Sequence, residues 1–197
     1  MSLRPYHHGN LRAALLECGL VLLATRPADE LSLREVARAA GVSANAVYRH
    51  FPDKRALMVG LAAEGFRLLG ESQRMAAAAV HGGTAGFEAT GRAYVRFALA
   101  NPALFRLMFA NPAPPDLLSR PASETMDAMA FLRANAEEAA GGRHDATLVA
   151  VQAWSMAHGL ALLMLDRQIP ADEAVIDGVF DLWSGIVATA QNAPGRT

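Results

Sequence analysis

The sequence predicts an all-α protein of about nine helices, and three observations indicate this class. Of the 197 residues, 52% are hydrophobic, and Ala and Leu, both good helix formers, dominate among them. Apolar residues recur at intervals of three and four rather than in the alternation typical of strands. Gly and Pro divide the chain into segments of helical length.

The first helix is predicted over about residues 10–26. Asn10 is placed to cap it, and one face of the segment is apolar. The apolar residues are Leu11, Leu15, Cys18 and Leu22. Cys18 is the single cysteine, so it cannot form an internal disulfide, and its position among leucines predicts a small buried hydrophobe.

The second and third helices form a short pair. Ser32 and Glu35 spell an S-x-x-E capping box, in which each side chain satisfies a backbone donor at the helix start. This helix is expected to end at Gly41, and Ser43 is placed to cap the third helix after a turn of about three residues. The third helix ends before Pro52, because the residue preceding a proline is disfavoured in the helical region.

Six further helices are predicted in the rest of the chain. The fourth begins after Asp53 and continues into the seventies, so it is expected to join the two parts of the chain rigidly. The others are expected at about residues 86–101, 103–110, 123–140, 145–168 and 171–191. Asn101-Pro102 and Gly141-Gly142 are among the breaks between them.

The formal net charge is only −1, but the charges are unevenly distributed. Residues 1–58 hold eight basic and five acidic side chains, an excess of three positive charges. Residues 59–197 hold ten basic and fourteen acidic side chains. This asymmetry predicts that any polyanion is bound by the N-terminal part.

Two short helices joined by a tight Gly turn indicate a helix-turn-helix, whose second helix fits the major groove of DNA. Tyr48, His50 and Lys54 are predicted to donate to phosphate oxygens, which positions the protein on DNA. The residues predicted to meet base edges are Ser43, Ala44, Asn45, Ala46 and Arg49, with Asn suited to adenine and Arg to guanine. Ser32 and Arg34 complete the predicted DNA-binding set.

Simpler roles stay open for three of these residues. Ser43 serves equally well as a helix cap. Tyr48 can be partly core, because an aromatic ring near Phe51 and Leu57 would pin the short helix in place. His50, taken alone, is more often an ordinary surface residue.

The stretch LSLREVARAAGVSANAVYRHFPDKRALM resembles the DNA-binding domain of the TetR family of transcriptional regulators. The matching residues are Gly41, Val42, Ser43, Tyr48, His50, Phe51, Lys54 and Leu57, and the likeness covers about residues 8–58. It implies a homodimer whose two recognition helices enter successive major grooves of a palindromic DNA operator. Asn45-Ala46 stand where the family often has Gly-Thr, which leaves the operator sequence open.

The C-terminal part is similar to the TetR subgroup whose effector domain is named for a Trp-His-Gly motif. Trp154, His158 and Gly159 carry this likeness, together with Pro102, Phe105, Met108 and Phe109 upstream. The family implies a helix-turn-helix domain over residues 1–52 and an effector-binding and dimerisation domain over residues 53–197. The resulting hypothesis is a repressor that a small, largely apolar molecule releases from its operator.

The predicted effector pocket is built from aromatic and methionine side chains at helical spacing, with one polar histidine. Such a composition is common in ligand sites, and methionine adapts to irregular shapes. The predicted lining residues are Phe66, Phe97, Phe105, Met108, Phe109, Met126, Met129, Trp154 and His158. Each residue alone is more often core than pocket, and His158 can instead be hydrogen-bonded to a neighbouring helix.

The last two helices are predicted to form the dimer interface as a four-helix bundle with the partner's pair. The predicted interface residues are Val151, Leu162, Ile176, Val179, Phe180, Trp183, Ile186 and Val187. Residues 146–165 are uncharged and long enough to cross a bilayer. Gln152, Ser155 and His158 in the middle of this segment argue against a membrane span.

Enzymatic function is not expected. Ser155, His158 and Asp166 lie on one predicted helix, without the nucleophile elbow or oxyanion loop of a hydrolase. His7-His8 lacks metal-ligand spacing to another ligand, and no cofactor is indicated.

A cytoplasmic location is expected, since the N-terminal residues MSLRPYHHGN lack the apolar stretch of a signal peptide. The rival hypothesis is an all-helical small-molecule-binding or scaffolding protein that does not contact DNA. That protein would have a neutral, apolar recognition face, whereas this one carries Tyr48, Arg49, His50 and Lys54.

Overall fold

The computed structural model describes residues 11–80, 83–110, 127–142 and 144–192, with side chains for all of these except 83–84, 127 and 183–192. Over these residues the chain forms nine α-helices and no strand, which confirms the all-α prediction. The helices are α1 (Leu11–Leu23), α2 (Leu33–Ala39), α3 (Ala44–Tyr48), α4 (Lys54–Ala78), α5 (Gly83–Ala100), α6 (Pro102–Ala110), α7 (Asp127–Ala140), α8 (Ala146–Leu165) and α9 (Glu173–Asn192).

The helices group into two compact units. The first unit comprises the described residues up to Phe66 together with α6, and the second comprises the rest. Helix α4 is continuous across the division between Phe66 and Arg67. The domain boundary predicted from the sequence lies at residue 52. It separates the chain by expected function rather than by contacts between residues, and it stays a prediction.

The ends of two helices differ from the sequence-based expectation. Helix α1 ends at Leu23, and the following residues form a turn in which Thr25 Oγ1 donates to the carbonyl of Leu22 at 3.0 Å. A single 3₁₀ turn then covers Ala28–Glu30. Helix α3 ends at Tyr48, although the amide of Phe51 still donates to the carbonyl of Val47 at 2.9 Å.

A small hydrophobic core holds the first unit together. Its most deeply buried side chains are Leu15, Leu31, Val36, Val47, Phe51, Leu57, Leu61 and Phe105. The guanidinium carbon of Arg12 lies 5.3 Å from the centroid of the Phe51 ring, a cation–π contact. Cys18 was expected to be buried and is instead half-buried, because α1 turns this position partly away from the core.

Helix α5 is central to the second unit and packs against α7, α8 and α9. Val95 and Ala98 of α5, Ala136 of α7 and Ala161 of α8 are fully buried. Small residues at these positions let the helix axes approach closely. This arrangement surrounds a pocket, which is described below.

Candidate functional site

The turn between α2 and α3 is fixed by glycine. Gly41 has a φ of +68°, in the left-handed region that favours glycine. The amide of Val42 donates to the carbonyl of Ala37 at 2.9 Å, and that of Gly41 donates to Arg38 at 3.2 Å. These two bonds form a Schellman motif, which closes the C-terminus of α2. The predicted helix-turn-helix is therefore built as its sequence indicates.

Both helices of the pair are capped. At the start of α2, Ser32 Oγ accepts from the Glu35 amide at 3.3 Å, while the Ser32 amide donates to Glu35 Oε2 at 3.0 Å. Arg26 donates to the other Glu35 oxygen at 2.7 Å. Ser32 Oγ also donates to Glu35 Oε2 at 2.8 Å. This side-chain bond is the largest cause of the lowered pKa of Glu35, and Arg26 lowers it further. Ser43 caps α3 by accepting from the Ala46 amide at 3.3 Å.

The outer surface around α3 is polar and basic, and its basic residues lie after α3 and on the neighbouring helices. Ser43, Asn45, Tyr48, Arg49, His50 and Lys54 are exposed, as is Arg34, whereas Ser32 and Ala44 are half-buried. Ala46 was expected to face the bases, but its side chain is buried. The correction follows from helix geometry, because Ala46 and Val47 together form the face of α3 that packs into the core.

Lys54 lies at the first position of α4 and donates to the backbone carbonyl of Asp29. An ammonium group has three hydrogens, so this bond leaves donors for a second partner. Exposed Arg55 follows it and was not among the predicted DNA-binding residues. Because Arg55 lies in the first turn of the same helix as Lys54, it could have been included among the predicted DNA-binding residues.

The second unit contains an apolar pocket among α4, α5, α7, α8 and α9. Its enclosed volume is about 30 Å³, and the free space is about 450 Å³ when the opening to solvent is counted, so any occupant must be compact. The lining residues are Gln73, Phe87, Glu88, Thr90, Gly91, Tyr94, Ala128, Met129, Leu132, Ala153, Trp154, Met156, Ala157 and Phe180. Mostly apolar walls with a few polar groups are characteristic of small-molecule sites.

One wall of the pocket holds a hydrogen-bonded triad. The hydroxyl of Tyr94 is 2.7 Å from His158 Nδ1, and Trp154 Nε1 donates to the same hydroxyl at 3.3 Å. Burial lowers the pKa of His158 and raises that of Tyr94. Neutral His158 can thus accept a hydrogen bond from the tyrosine hydroxyl at Nδ1. This agrees with the alternative given by the sequence, in which His158 is hydrogen-bonded to a neighbouring helix.

The predicted pocket residues are divided between the two units. Met129 and Trp154 line the pocket, and His158 reaches it through Tyr94. Met126 lies outside the described residues, and buried Phe97 is not among the lining residues. The other four, Phe66, Phe105, Met108 and Phe109, lie in the first unit.

Those four residues belong to an aromatic cluster rather than to the pocket. The Phe109 ring centroid is 5.3 Å from that of Phe66 and 5.1 Å from that of Phe105. Phe66, Phe105 and Met108 are buried. Their helical spacing is real, but it places them in the core of the first unit.

An ionic network joins α5 to α9 beside the pocket. Arg92 contacts Asp177 at 3.1 Å and Glu88 at 3.5 Å, and also pairs with Asp181. Arg96 contacts Glu173 at 2.7 Å and Asp177 at 3.2 Å. Within this network four carboxylates surround two guanidinium groups, so its charge is negative.

The predicted dimer residues divide into buried and exposed ones. Ile176 and Phe180 are 1% and 2% exposed, which corrects their assignment to a surface, since α9 packs this stripe on α5. Val151 is exposed, and Leu162 and Val179 are half-buried. For Trp183, Ile186 and Val187 the side chains lie outside the described residues.

Helix α8 leaves much apolar surface uncovered. Leu148, Val151 and Leu163 are exposed, and only 28% of the most apolar window of the helix is buried. Within the part of the chain that the structure describes, α8 alone is long and apolar enough to cross a membrane.

Sequence reasoning missed Gln73, Thr90 and Tyr94 as pocket residues. Phe87, Gly91 and Tyr94 recur at intervals of four and three, so the helical face of α5 could have been found from its spacing. Gln73 is one of several polar residues in α4, and nothing in the sequence distinguishes it from the others.

Comparison with known proteins finds a matching family model for each part of the chain. A family model described as bacterial regulatory proteins of the tetR family matches residues 15–61. A second, described as a tetracyclin repressor-like C-terminal domain, matches residues 87–183. These matches cover the helix-turn-helix and every helix of the second unit from α5 to most of α9.

Several solved structures are similar to this chain in fold. A protein of unknown function from Rhodococcus sp. RHA1 is 30% identical, with 95% of this chain and 98% of that one covered and a TM-score of 0.72. A TetR family regulator from Marinobacter aquaeolei VT8 shares the fold at 19% identity, with coverage of 86% and 91% and a TM-score of 0.62. A tetR-family regulator from Streptomyces coelicolor does so at 23% identity, with coverage of 91% and 82% and a TM-score of 0.57.

The capped helix-turn-helix carries a polar, basic outer surface, and the two family models match it and the second unit in turn. The chain therefore belongs to the TetR family and is a DNA-binding transcriptional regulator.

Proposed function

We propose that the protein is a cytoplasmic, homodimeric repressor that leaves a palindromic operator when a small, largely apolar molecule occupies the pocket of the second unit. The observation that carries this proposal is the pocket itself, whose walls are apolar apart from a few polar groups. Repression, rather than activation, follows from the resemblance to the TetR family.

On the DNA side, α3 and the residues that follow it, up to the start of α4, supply two kinds of contact. Tyr48, His50 and Lys54 donate to phosphate oxygens, while Asn45 and Arg49 reach base edges in the major groove. Ser43 and Ala44 lie beside these residues at the start of α3, and Ser32 and Arg34 extend the contact surface from α2. Exposure of the side chains that read and anchor DNA supports these roles.

On the effector side, the second unit resembles the Trp-His-Gly subgroup in sequence. Trp154 and His158 meet at the hydroxyl of Tyr94. Because both motif residues contact this hydroxyl, both help to hold the wall of the pocket in place. This contact supports the proposal that the second unit belongs to that subgroup.

Dimerisation uses the exposed apolar surface of α8 and the outer face of α9. Leu148, Val151 and Leu163 supply this surface, and burying it against a second copy is favourable. Effector binding then shifts the dimer population toward a state in which its recognition helices no longer match half-sites roughly 34 Å apart.

The test begins with selection of binding sites from a randomised duplex pool by the purified protein. Recovery of a palindrome is expected, with affinity that falls steeply as salt rises. Transcription in vitro from a promoter overlapping that site then distinguishes modes: added protein should lower transcript yield. Failure of the folded dimer to enrich any sequence would favour the rival hypothesis of a helical binding protein without a DNA site, and increased yield would replace repression with activation.

A further inference from the structure

Gln73 lines the pocket of the second unit, and its side-chain carbonyl is a buried acceptor without a partner among the described residues. Gln73 is 5% exposed, and its Oε1 has no hydrogen-bond partner among the described residues. Its Nε2 donates to the carbonyl of Thr90 at 3.4 Å. This bond fixes the orientation of the amide, because the opposite orientation would place two carbonyl oxygens together.

Other polar groups of the pocket are already engaged. The hydroxyl of Thr90 donates to the carbonyl of Phe87 at 2.6 Å. Trp154 and the Tyr94 hydroxyl bond to each other, and Tyr94 also bonds to His158. A buried acceptor left without a donor is costly, so Gln73 Oε1 marks the point at which a ligand would gain most from a hydrogen bond.

The charges around the pocket disfavour an anion. Among the described lining residues, Glu88 is the only charged one. Arg92, the nearest cation in the network, is held by Glu88, Asp177 and Asp181. A carboxylate entering this apolar space would meet a negative neighbour and no uncompensated cation from this network.

We propose that the effector is a compact, uncharged and mostly apolar molecule that presents one O–H or N–H donor to Gln73 Oε1. This inference rests on the proposed function of the pocket as the effector site. It adds the chemical class that the pocket selects and names Gln73 as the residue that determines specificity.

Phenol, anisole and benzoate test the proposal because they share a ring and differ in one group. Phenol carries the donor, anisole has it methylated, and benzoate replaces it with an anion. Binding is followed in the full-length protein by the NMR shift of the Trp154 indole N–H, which lies in the pocket wall. Phenol should bind about tenfold more tightly than anisole, and benzoate should bind at least about tenfold more weakly than phenol.

A substitution at Gln73 provides the second part of the binding test. Gln73→Met keeps the length of the side chain and removes the amide, so the preference for phenol over anisole should disappear. Gln168→Met is the matched control, because Gln168 is exposed beyond the end of α8 and this variant should retain the wild-type preference. If Gln73→Met does not fold, the phenol-to-anisole ratio of the wild-type protein decides by itself.

The outcomes distinguish failure of the proposed role of Gln73 from failure of the pocket as an effector site. Equal binding of phenol and anisole overturns the role of Gln73 and leaves the pocket as an effector site. Benzoate binding as tight as that of phenol overturns the selection against anions. No shift of the Trp154 signal with any of the three probes overturns both the inference and the effector site, while operator binding, measured separately, decides the DNA-binding function.

Discussion

At the scale of single residues, buried polar groups give the second unit its chemical character. His158 lies half-buried on a helix without charged residues, and the Tyr94 hydroxyl meets its Nδ1. Burial lowers the pKa of His158 because a charged imidazolium loses solvation there. The triad with Trp154 is therefore uncharged at neutral pH, in keeping with an apolar effector.

Removing the Tyr94 hydroxyl should raise the pKa of His158 toward its ordinary value of 6.5. In Tyr94→Phe the neutral imidazole loses the donor that stabilises it, and NMR titration of the ring protons measures the change. In the wild-type protein, the same lowered pKa contributes stability that is present above pH 6.5 and lost as pH falls through the folded-state pKa. Tyr48→Phe is the control, and an unchanged titration in Tyr94→Phe would contradict the hydrogen bond.

The DNA-contacting residues should separate into two energetic classes. Lys54→Ala should weaken all duplexes about equally and reduce the salt slope by about 1. Asn45→Ala should weaken only the selected site, by about 1–3 kcal/mol. Filter binding at several salt concentrations, on the selected site and a scrambled duplex, measures both effects.

Arg106→Ala is the matched control for these variants, because it removes an exposed positive charge on α6 outside the helix-turn-helix. Loss of affinity for both duplexes in Asn45→Ala would show that Asn45 reads no base. An unchanged salt slope in Lys54→Ala would remove its phosphate contact.

At the scale of elements, the turn between α2 and α3 positions the recognition helix. Gly41→Ala should lower the free energy of unfolding by about 1–2 kcal/mol, since a Cβ is disfavoured at a φ of +68°. Gly41→Asn should lower it less, because Asn tolerates the left-handed region. Urea denaturation measures the difference, and equal losses in the two variants would mean that backbone conformation is not the cause.

The contact between α5 and α9 depends on a missing side chain. A Cβ at Gly91 would lie 2.2 Å from Phe180 Cε1, so Gly91→Ala should cost about 1–3 kcal/mol by overpacking. Adding Phe180→Leu should recover part of that loss, and a double-mutant cycle from urea denaturation measures the coupling. Additive losses would show that the ring moves aside without strain.

Helix positions were predictable from the sequence, whereas the pocket was predictable only in part. Gly41, Pro52 and Pro102 act locally, so they mark helix ends whatever the tertiary structure. Periodicity shows which face of a helix is apolar but not which neighbour covers it. Phe105 thus entered the predicted pocket although it packs in the first unit, while Gln73 could be found only from its unpaired carbonyl.

At the scale of the whole molecule, the exposed surface of α8 is the one that we propose for dimerisation. Its exposed apolar side chains could face lipid or a second copy of the chain. Gln152 and Ser155 are exposed within the same stretch, and polar groups facing lipid are costly. A protein interface accommodates such groups at its rim, and this favours dimerisation through α8.

A charge on this surface should break the dimer while leaving the protomer folded. Val151→Glu should raise the dimer dissociation constant at least about 100-fold, because the carboxylate would be desolvated in the interface. Operator affinity should fall with it, since a monomer engages one half-site and loses the gain from two linked contacts. Sedimentation equilibrium and operator titration measure the two effects. Met75→Glu is the control, because Met75 is also apolar and exposed but lies on α4. If Val151→Glu stays dimeric and binds the operator as the control does, α8 is not the interface, and its apolar surface must be covered by something else.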